Sequence, residues 1–576
     1  MTTHHLPASF DRDEGNVVTA AAGQRVHAAT VEHMDRLAER LYEVADGVWC
    51  MVGNGLSNQT FVEGPEGLIA IDTGESIEEM TAAIAAVRAH TETPVVAVIY
   101  THFHYCNGTA AIAGSADLPI WGHERIDANL SRMAADVGPV AARGLIHQFG
   151  MMLPSDGPDA LVGCGLGRFY RNPAHGRGTP GYLKPNRPIS ARTNATIAGL
   201  TVEFSPAPSD ADDNINIFFP DLGLCVNNLV WPALFNVFAI RGEEYRDPRL
   251  LLAGIDEIAA FDPVHLVCAH GPPLSGRAEI RDGVRDARDA IQFLWDQSVR
   301  GINRGLTLGE LIAEVQLPAR FDRSYLTQQH YGLVEHHVRQ IHAGLRGWFD
   351  GYEAELAPLP TLERTQRLIA GFGGRAMVLD AAKSALADDD LRWALELATW
   401  LVRSETGVDG RADGGTADER ATLAAVLRAI SERTTASNLR NWCLTRALEL
   451  EGSIDLARHR GFRVGRGQVM NYEPTTFVFG LKTALDPVKA SDIDVHLAFV
   501  IDGEKCGLHV RSGVAVPTDG ATAEHSITMD LAIWGDVLAG KVAFSAALEA
   551  GDIAVESDVA SVREALACFD PPMLSA

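Results

Sequence analysis

The sequence is short of positive charge. Its 49 lysines and arginines face 75 aspartates and glutamates, a formal net charge of −26. So acidic a chain is a poor binder of nucleic acid or of an anionic membrane surface, and neither is expected as a partner. It also repels anionic small molecules at long range, so any anion it binds must meet a local cation, either a metal or a buried arginine. Cysteine is sparse too: eight, at positions 50, 106, 164, 225, 268, 443, 506 and 568, with no CxxC pair. That pattern argues against a disulfide framework and for a reducing, intracellular setting. No run of about 18 apolar residues occurs, so no transmembrane helix is expected. The opening MTTHHLPASFDRDEGN lacks a basic n-region and an apolar h-region. No signal peptide is read there, His4 and His5 fall in a polar tail, and the expected location is the cytoplasm.

What is present is the composition of an ordinary globular protein, 46% hydrophobic and 22% charged. The 576 residues exceed one compact core at about 150 residues per domain. Short β-rich runs are read at 41–52, 59–62 and 68–71, the last ending in Asp72-Thr73-Gly74. An amphipathic helix over 77–90 and a buried strand over 95–100 follow. A polar cluster, Thr101-His102-Phe103-His104, closes that strand, where α/β folds place their chemistry. The stretch 138–188 is rich in Gly and Pro and reads as long site-lining loops. Strands resume at 195–204, 215–219, 222–227 and 264–269, the last ending at His270. Residues 360–452 carry Ala, Leu, Glu and Arg at helical spacing, with a Gly/Asp-rich break at 407–419. Mixed structure returns after Glu451, with strands around the turn Asp502-Gly503. Three domains are expected: 1–355, 356–452 and 453–576.

The strongest chemical signal is the HxH of residues 102–104. On an extended chain, i and i+2 share a face, so His102 and His104 can approach one cation together. Imidazole suits zinc, and also iron or copper. His330, His336, His337 and His342 lie on a helical stretch without the i,i+4 spacing of a helical zinc site, and read as packing or surface residues.

These motifs, with Leu56-Ser57-Asn58, Gln148-Phe149-Gly150, Val162-Gly163-Cys164-Gly165 and Gly347-Trp348-Phe349-Asp350-Gly351, resemble the metallo-β-lactamase superfamily and, within it, the alkyl sulfatases. The resemblance implies an α/β fold: an αβ/βα sandwich, then an all-α dimerisation domain and an α+β, sterol-carrier-like end domain. It implies a homodimer and a small amphipathic or anionic substrate.

The family's metal pattern is HxHxDH, two later acids and a final His. Carried over position by position, it falls on His102, His104, Cys106, Asn107, Asp210, Asn228 and His270. Asp210 stands for a Glu, with Asp212 and Asp213 as neighbours that could replace it. Asn228 stands for a bridging acid. His102, His104 and Asp210 form a complete three-ligand set. Cys106, also readable as a packing residue, is the candidate substitute beside His270 on the other side. Without carboxylates a second dication is poorly neutralised. One divalent metal is therefore expected, zinc first and iron as the alternative. The family's sulfate-holding arginine falls on Arg241, and its sulfate loop on Gly178-Thr179-Pro180-Gly181-Tyr182, which makes Thr179 and Tyr182 candidate donors. Phe149, Met151, Met152 and Leu153 are candidate linings of an alkyl tunnel.

The leading reading is a metal-dependent hydrolase that turns a metal-activated water on a sulfate-type ester. The alternative is a mononuclear non-haem iron or other non-hydrolytic enzyme, because two His and one carboxylate also serve that chemistry. A non-catalytic binder of a lipid-like ligand comes third.

Overall fold

Alternating side chains along two sets of strands build the first body of the protein. The computed structural model describes residues 14–113, 118–231, 237–407, 410–462 and 464–576. The tail with His4 and His5, and Val408 and Asp409 of the Gly/Asp-rich break, lie outside them. A hairpin of β1 (Val17–Thr19) and β2 (Arg25–His27) comes first. One sheet then runs in the order β3 (Arg40–Ala45), β4 (Val48–Val52), β5 (Gln59–Gly64), β6 (Gly67–Ile71), β7 (Val95–Ile99), β8 (Ile120–His123) and β9 (Arg187–Ile189). It is antiparallel as far as β6 and parallel from there on. A second sheet orders β10 (Thr193–Ile197), β11 (Leu200–Pro206), β12 (Ile215–Phe219), β13 (Leu224–Asn227), β14 (His265–Cys268) and β15 (Leu274–Ser275).

The two-residue period decides what each face meets. Val48, Cys50 and Val52 of β4 join Ile215, Ile217 and Phe219 of β12 in the core between the sheets. Trp49 and Met51 point the other way, onto Met80, Ala83 and Val87 of the helix Ile77–Val87. Cys225 and Leu266 turn outward onto Leu251, Ile255 and Ile280 of the helices Pro248–Phe261 and Arg277–Asn303. The result is helix, sheet, sheet, helix, the expected sandwich.

Most strands lie where the pattern put them, though the run expected over 41–52 is the hairpin β3–β4 and two other stretches also differ. The single run expected over 195–204 is the hairpin β10–β11, which turns at Ala198 (φ 51°) and Gly199 (φ 78°). The stretch expected to be loop from residue 138 begins with the helix Gly138–Phe149.

The helical stretch packs Ile369, Val378, Ala382, Leu397, Leu401 and Val426 into its own core. Its fourth long helix, Ala417–Arg433, opens on a Thr416/Glu419 capping box. The last, Ser437–Leu450, is buried on nearly all sides. Its Asn441 amide donates to the carbonyls of Gln148 (3.2 Å) and Gly163 (3.1 Å).

By its packing the chain gathers into two compact bodies, residues 1–124 with 144–455, and residues 125–143 with 456–576. The second holds a five-stranded sheet ordered β18 (Val514–Thr518), β17 (Glu504–Arg511), β16 (Asp494–Ile501), β19 (His525–Met529) and β20 (Ile553–Glu556). Asp502 (φ 49°) and Gly503 (φ 85°) make the tight β16–β17 turn. Ala134 and Ala135, from the early segment, sit in this body's core beside Phe477 and Trp534. Among the described residues, no helix is long and apolar enough to cross a membrane.

Candidate metal centre

The site forms where parallel strands end. After β6 the chain turns at Asp72 (φ 54°), whose carboxylate accepts from Thr101 N (2.8 Å) and Thr101 Oγ1 (2.7 Å) just beyond β7. Thr101 Oγ1 lies 2.9 Å from His102 Nδ1. With its hydrogen given to Asp72 Oδ2, the hydroxyl accepts Nδ1–H and leaves the His102 Nε2 lone pair for a cation. Burial holds the Asp72 carboxyl up at about 7 against these two hydrogen bonds.

His102 is extended (φ −166°), but Phe103–Tyr105 is a 3₁₀ turn rather than a continued strand. His104 therefore arrives through Nδ1, 3.0 Å from His102 Nε2. Asp210 comes from the loop after β11, with Oδ2 3.2 Å from His104 Nδ1 and Oδ1 3.7 Å from His102 Nε2. Donors at 2.0–2.2 Å from one tetrahedral ion stand about 3.3 Å apart, so these three fit a single ion. Among the described residues they form the one such cluster, with all ligand atoms within 4.8 Å. Burial lowers the His102 imidazole to about 3, which keeps it neutral as a ligand must be. Burial alone would raise the Asp210 carboxyl, but His102, His104 and Arg246 hold it well below its ordinary range.

The donors for a second ion are not arranged in this way. Cys106 is buried and its thiol donates to Phe103 O (3.0 Å). The main-chain N of Asn107 donates to Gly74 O (3.0 Å) in a turn. Trp231 Nε1 donates to Asn228 Oδ1 (2.8 Å), which fixes that amide's orientation because an indole N–H can only donate. The Asn228 NH₂ then donates to Asp210 Oδ1 (2.7 Å). A neutral amide thus braces Asp210. His270 gives Nδ1–H to Leu56 O (3.0 Å) and faces Tyr105 OH with Nε2 (3.1 Å). Its imidazole is lowered to about 4 by burial. The His270 ring lies beside Tyr105 and Trp231 and lines a cavity of about 200 Å³, mostly apolar through Val230, Leu266, Pro272 and Leu326 but with Arg36 and Tyr42 on its wall.

Arg241 is held from three sides. Gln148 Oε1 accepts from its backbone N (3.3 Å), its guanidinium lies 5.7 Å from the Phe149 ring centroid, and it ion-pairs with Glu243. Gln148 in turn donates to Tyr331 OH (2.7 Å). Thr179 has its polar groups engaged: its hydroxyl and main-chain N both donate to Glu78 (2.6 Å each) at the start of the helix Ile77–Val87. Tyr182 packs 6.2 Å from Tyr100, centroid to centroid. Met151 is 46% exposed, whereas Phe149 is buried against Tyr170.

Sequence reasoning missed Tyr105, Trp231, Glu243 and Arg246. The repeated charges of Arg241-Gly242-Glu243-Glu244-Tyr245-Arg246 were the signal available for the last two.

A sandwich of this layering, with an HxH and an acid gathered at the strand ends, is that of the metal-dependent hydrolases of metallo-β-lactamase type. Comparison with known proteins narrows the class. Residues 307–453 match the family model described as alkyl sulfatase dimerisation. A linear primary-alkylsulfatase of Pseudomonas sp. is 33% identical over 531 residues, 88% of this chain and 98% of that one. An (R)-specific secondary-alkylsulfatase of Pseudomonas sp. is 27% identical over 97% of this chain and 84% of that protein. The solved structure of the stereoselective inverting sec-alkylsulfatase Pisa1, from Pseudomonas sp., superposes with a TM-score of 0.82 at 25% identity, covering 98% of this chain and 95% of that chain. The chain belongs to the alkylsulfatase family and is a metal-dependent hydrolase. The non-haem iron and ligand-binder readings are not favoured.

Proposed function

We propose that this enzyme hydrolyses sulfate monoesters of alkyl alcohols with a single zinc ion held by His102, His104 and Asp210. The carrying observation is the three-donor cluster, 3.0–3.7 Å on its edges, beside the buried cation Arg241. When bound, the ion supplies Lewis acidity to an ester oxygen and lowers the pKa of water. Arg241 holds the sulfate group by its guanidinium fork. Asp72 and Thr101 fix the His102 tautomer. Asn228 braces Asp210 and the Cys106 thiol is hydrogen-bonded to the Phe103 carbonyl, and both favour a single ion. The cavity beyond His270 offers apolar wall for an alkyl chain.

The domains are assigned as 1–355 catalytic, 356–452 dimerisation and 453–576 C-terminal. Trp348 is 74% exposed, and Tyr352, Leu356, Phe372, Met377 and Trp393 are also exposed, large apolar side chains within the matched dimerisation segment that fit a homodimer.

The test combines metal analysis with sulfate release from primary and secondary alkyl sulfates. One zinc per chain, sulfate release, and loss of both in His102→Ala are expected. Two ions per chain would overturn the single-metal reading. A metal-loaded enzyme that releases no sulfate from either series would overturn the substrate.

A further inference from the structure

Two buried arginines beside the three-donor cluster share one carboxylate. Glu243 ion-pairs with both Arg241 and Arg246, and its Oε1 lies 3.9 Å from His104 Nε2. The three side chains are 9%, 9% and 4% exposed for Glu243, Arg241 and Arg246. Arg241 Nε has no hydrogen-bond partner among the described residues. Burying guanidinium groups without a counter-charge is costly, so this pair requires an anion at all times. In the resting protein the anion in contact with both is Glu243, with Asp210 acting on Arg246 and Glu75 on Arg241 as further negative neighbours. During the reaction proposed above, the anion brought to the same arginine is the substrate's sulfate group.

We infer that Glu243 is a resident stand-in for the sulfate, bridging Arg241 and Arg246 until a tetrahedral oxyanion displaces it from between them. The inference rests on the sulfatase reading of this site and deepens it. Arg246 becomes a second arm of the anion subsite, and Glu243 becomes a specificity-determining residue. A carboxylate presents two oxygens to the two forks, whereas a sulfate ester presents three. A sulfate can therefore serve both guanidinium groups at once and take over their neutralisation. A neutral ester offers them no charge and leaves Glu243 in place. The exchange keeps the buried pair compensated throughout, so the subsite never stands as bare buried charge. It also accounts for a strongly acidic protein admitting an anion: the local field is prepared but masked until the right ligand arrives.

The experiment is calorimetric binding of inorganic sulfate to the full-length, zinc-loaded protein. Glu243→Gln keeps the shape and removes the competing charge, so sulfate should bind roughly tenfold tighter or better. Arg246→Met should weaken it by at least the same factor, and so should Arg241→Met. Unchanged or weaker binding in Glu243→Gln would make Glu243 a fixed structural brace and overturn the inference. Because these variants disturb a buried network, a crystal of the unaltered protein soaked in sulfate gives an independent reading. Sulfate on both arginines with the Glu243 carboxylate displaced supports the inference. Sulfate beside an intact Glu243 bridge, or none at these arginines, overturns it. Neither measurement needs turnover, so a failure to release sulfate from alkyl sulfates would count against the substrate reading alone.

Discussion

At the scale of single residues, the site depends on groups that never touch the ion. Thr101 passes the orientation set by Asp72 to His102 Nδ1 through contacts of 2.7 and 2.9 Å. Thr101→Val keeps the volume and removes both. Zinc affinity should fall about 10–100-fold, as for other losses behind a metal-binding histidine, with circular dichroism unchanged. Asn228→Asp makes a second distinct case. It replaces the amide that donates to Asp210 (2.7 Å) with a second buried carboxylate. The metal-free protein should lose about 2 kcal/mol or more in denaturant unfolding, and zinc should restore most of it. The candidate histidines were legible because two imidazoles two residues apart at a strand end have few other uses, and the structure brings them together with Asp210. Asn228 was legible as a missing carboxylate, but its bond to Trp231 was not. A contact between an indole and an amide three residues apart in an irregular segment leaves no periodic trace.

At the scale of elements, strands were easier to read than the helix that supports Arg241. Val48–Val52 and Ile215–Phe219 carry an in–out alternation in the sequence itself. The helix Gly138–Phe149 begins with Gly and Pro and carries Gly144 within it, so local propensity argued for loop. Gly144 has a packing cause. A Cβ there would lie 2.4 Å from Arg241 O and 2.9 Å from Arg241 Cα, so the helix can approach the Arg241 backbone only without a side chain. Gly144→Ala should displace the Arg241 backbone. The expected result is a KM for alkyl sulfates raised about tenfold, in keeping with loss of one positioning contact, with zinc content unchanged. An unaltered KM would show that the helix can yield without moving the arginine. The early segment 125–143 was hidden for another reason. Its partners, such as Lys482 to Asp136 (2.8 Å) and Thr476 to Ser131 (3.2 Å), lie more than three hundred residues away.

At the scale of the whole molecule, buried histidines away from the metal centre also bear on acid stability. His33, on the helix Ala28–Arg36, stacks on His330 at 4.1 Å with an interplanar angle of 7°. His33 Nε2 lies 2.6 Å from Gly165 O, its Nδ1 3.0 Å from Tyr325 OH, and Arg36 packs over the Tyr325 ring. Burial lowers His33 to about 4, against the Gly165 hydrogen bond and with some help from Arg36, and lowers His330 to about 3, with His33, His27 and Arg36 adding to the effect. Because the folded values lie below the ordinary 6.5 of an unfolded histidine, the unfolded chain binds more protons at acid pH. The stability these residues contribute is present above about pH 6.5 and is lost as the pH falls toward their folded values. Each histidine costs about 1.4 kcal/mol per pH unit in that window. His330 Nδ1 has no hydrogen-bond partner among the described residues, so His330→Phe removes a titrating group and a buried orphan while keeping a ring for His33 to stack on. The variant should equal or exceed the parent in thermal midpoint at pH 8 and lose less of it between pH 6.5 and 5. Titration at the metal centre is common to both proteins and cancels in the difference. Identical slopes in the two proteins would mean that the stacked pair does not set the acid limit of the fold.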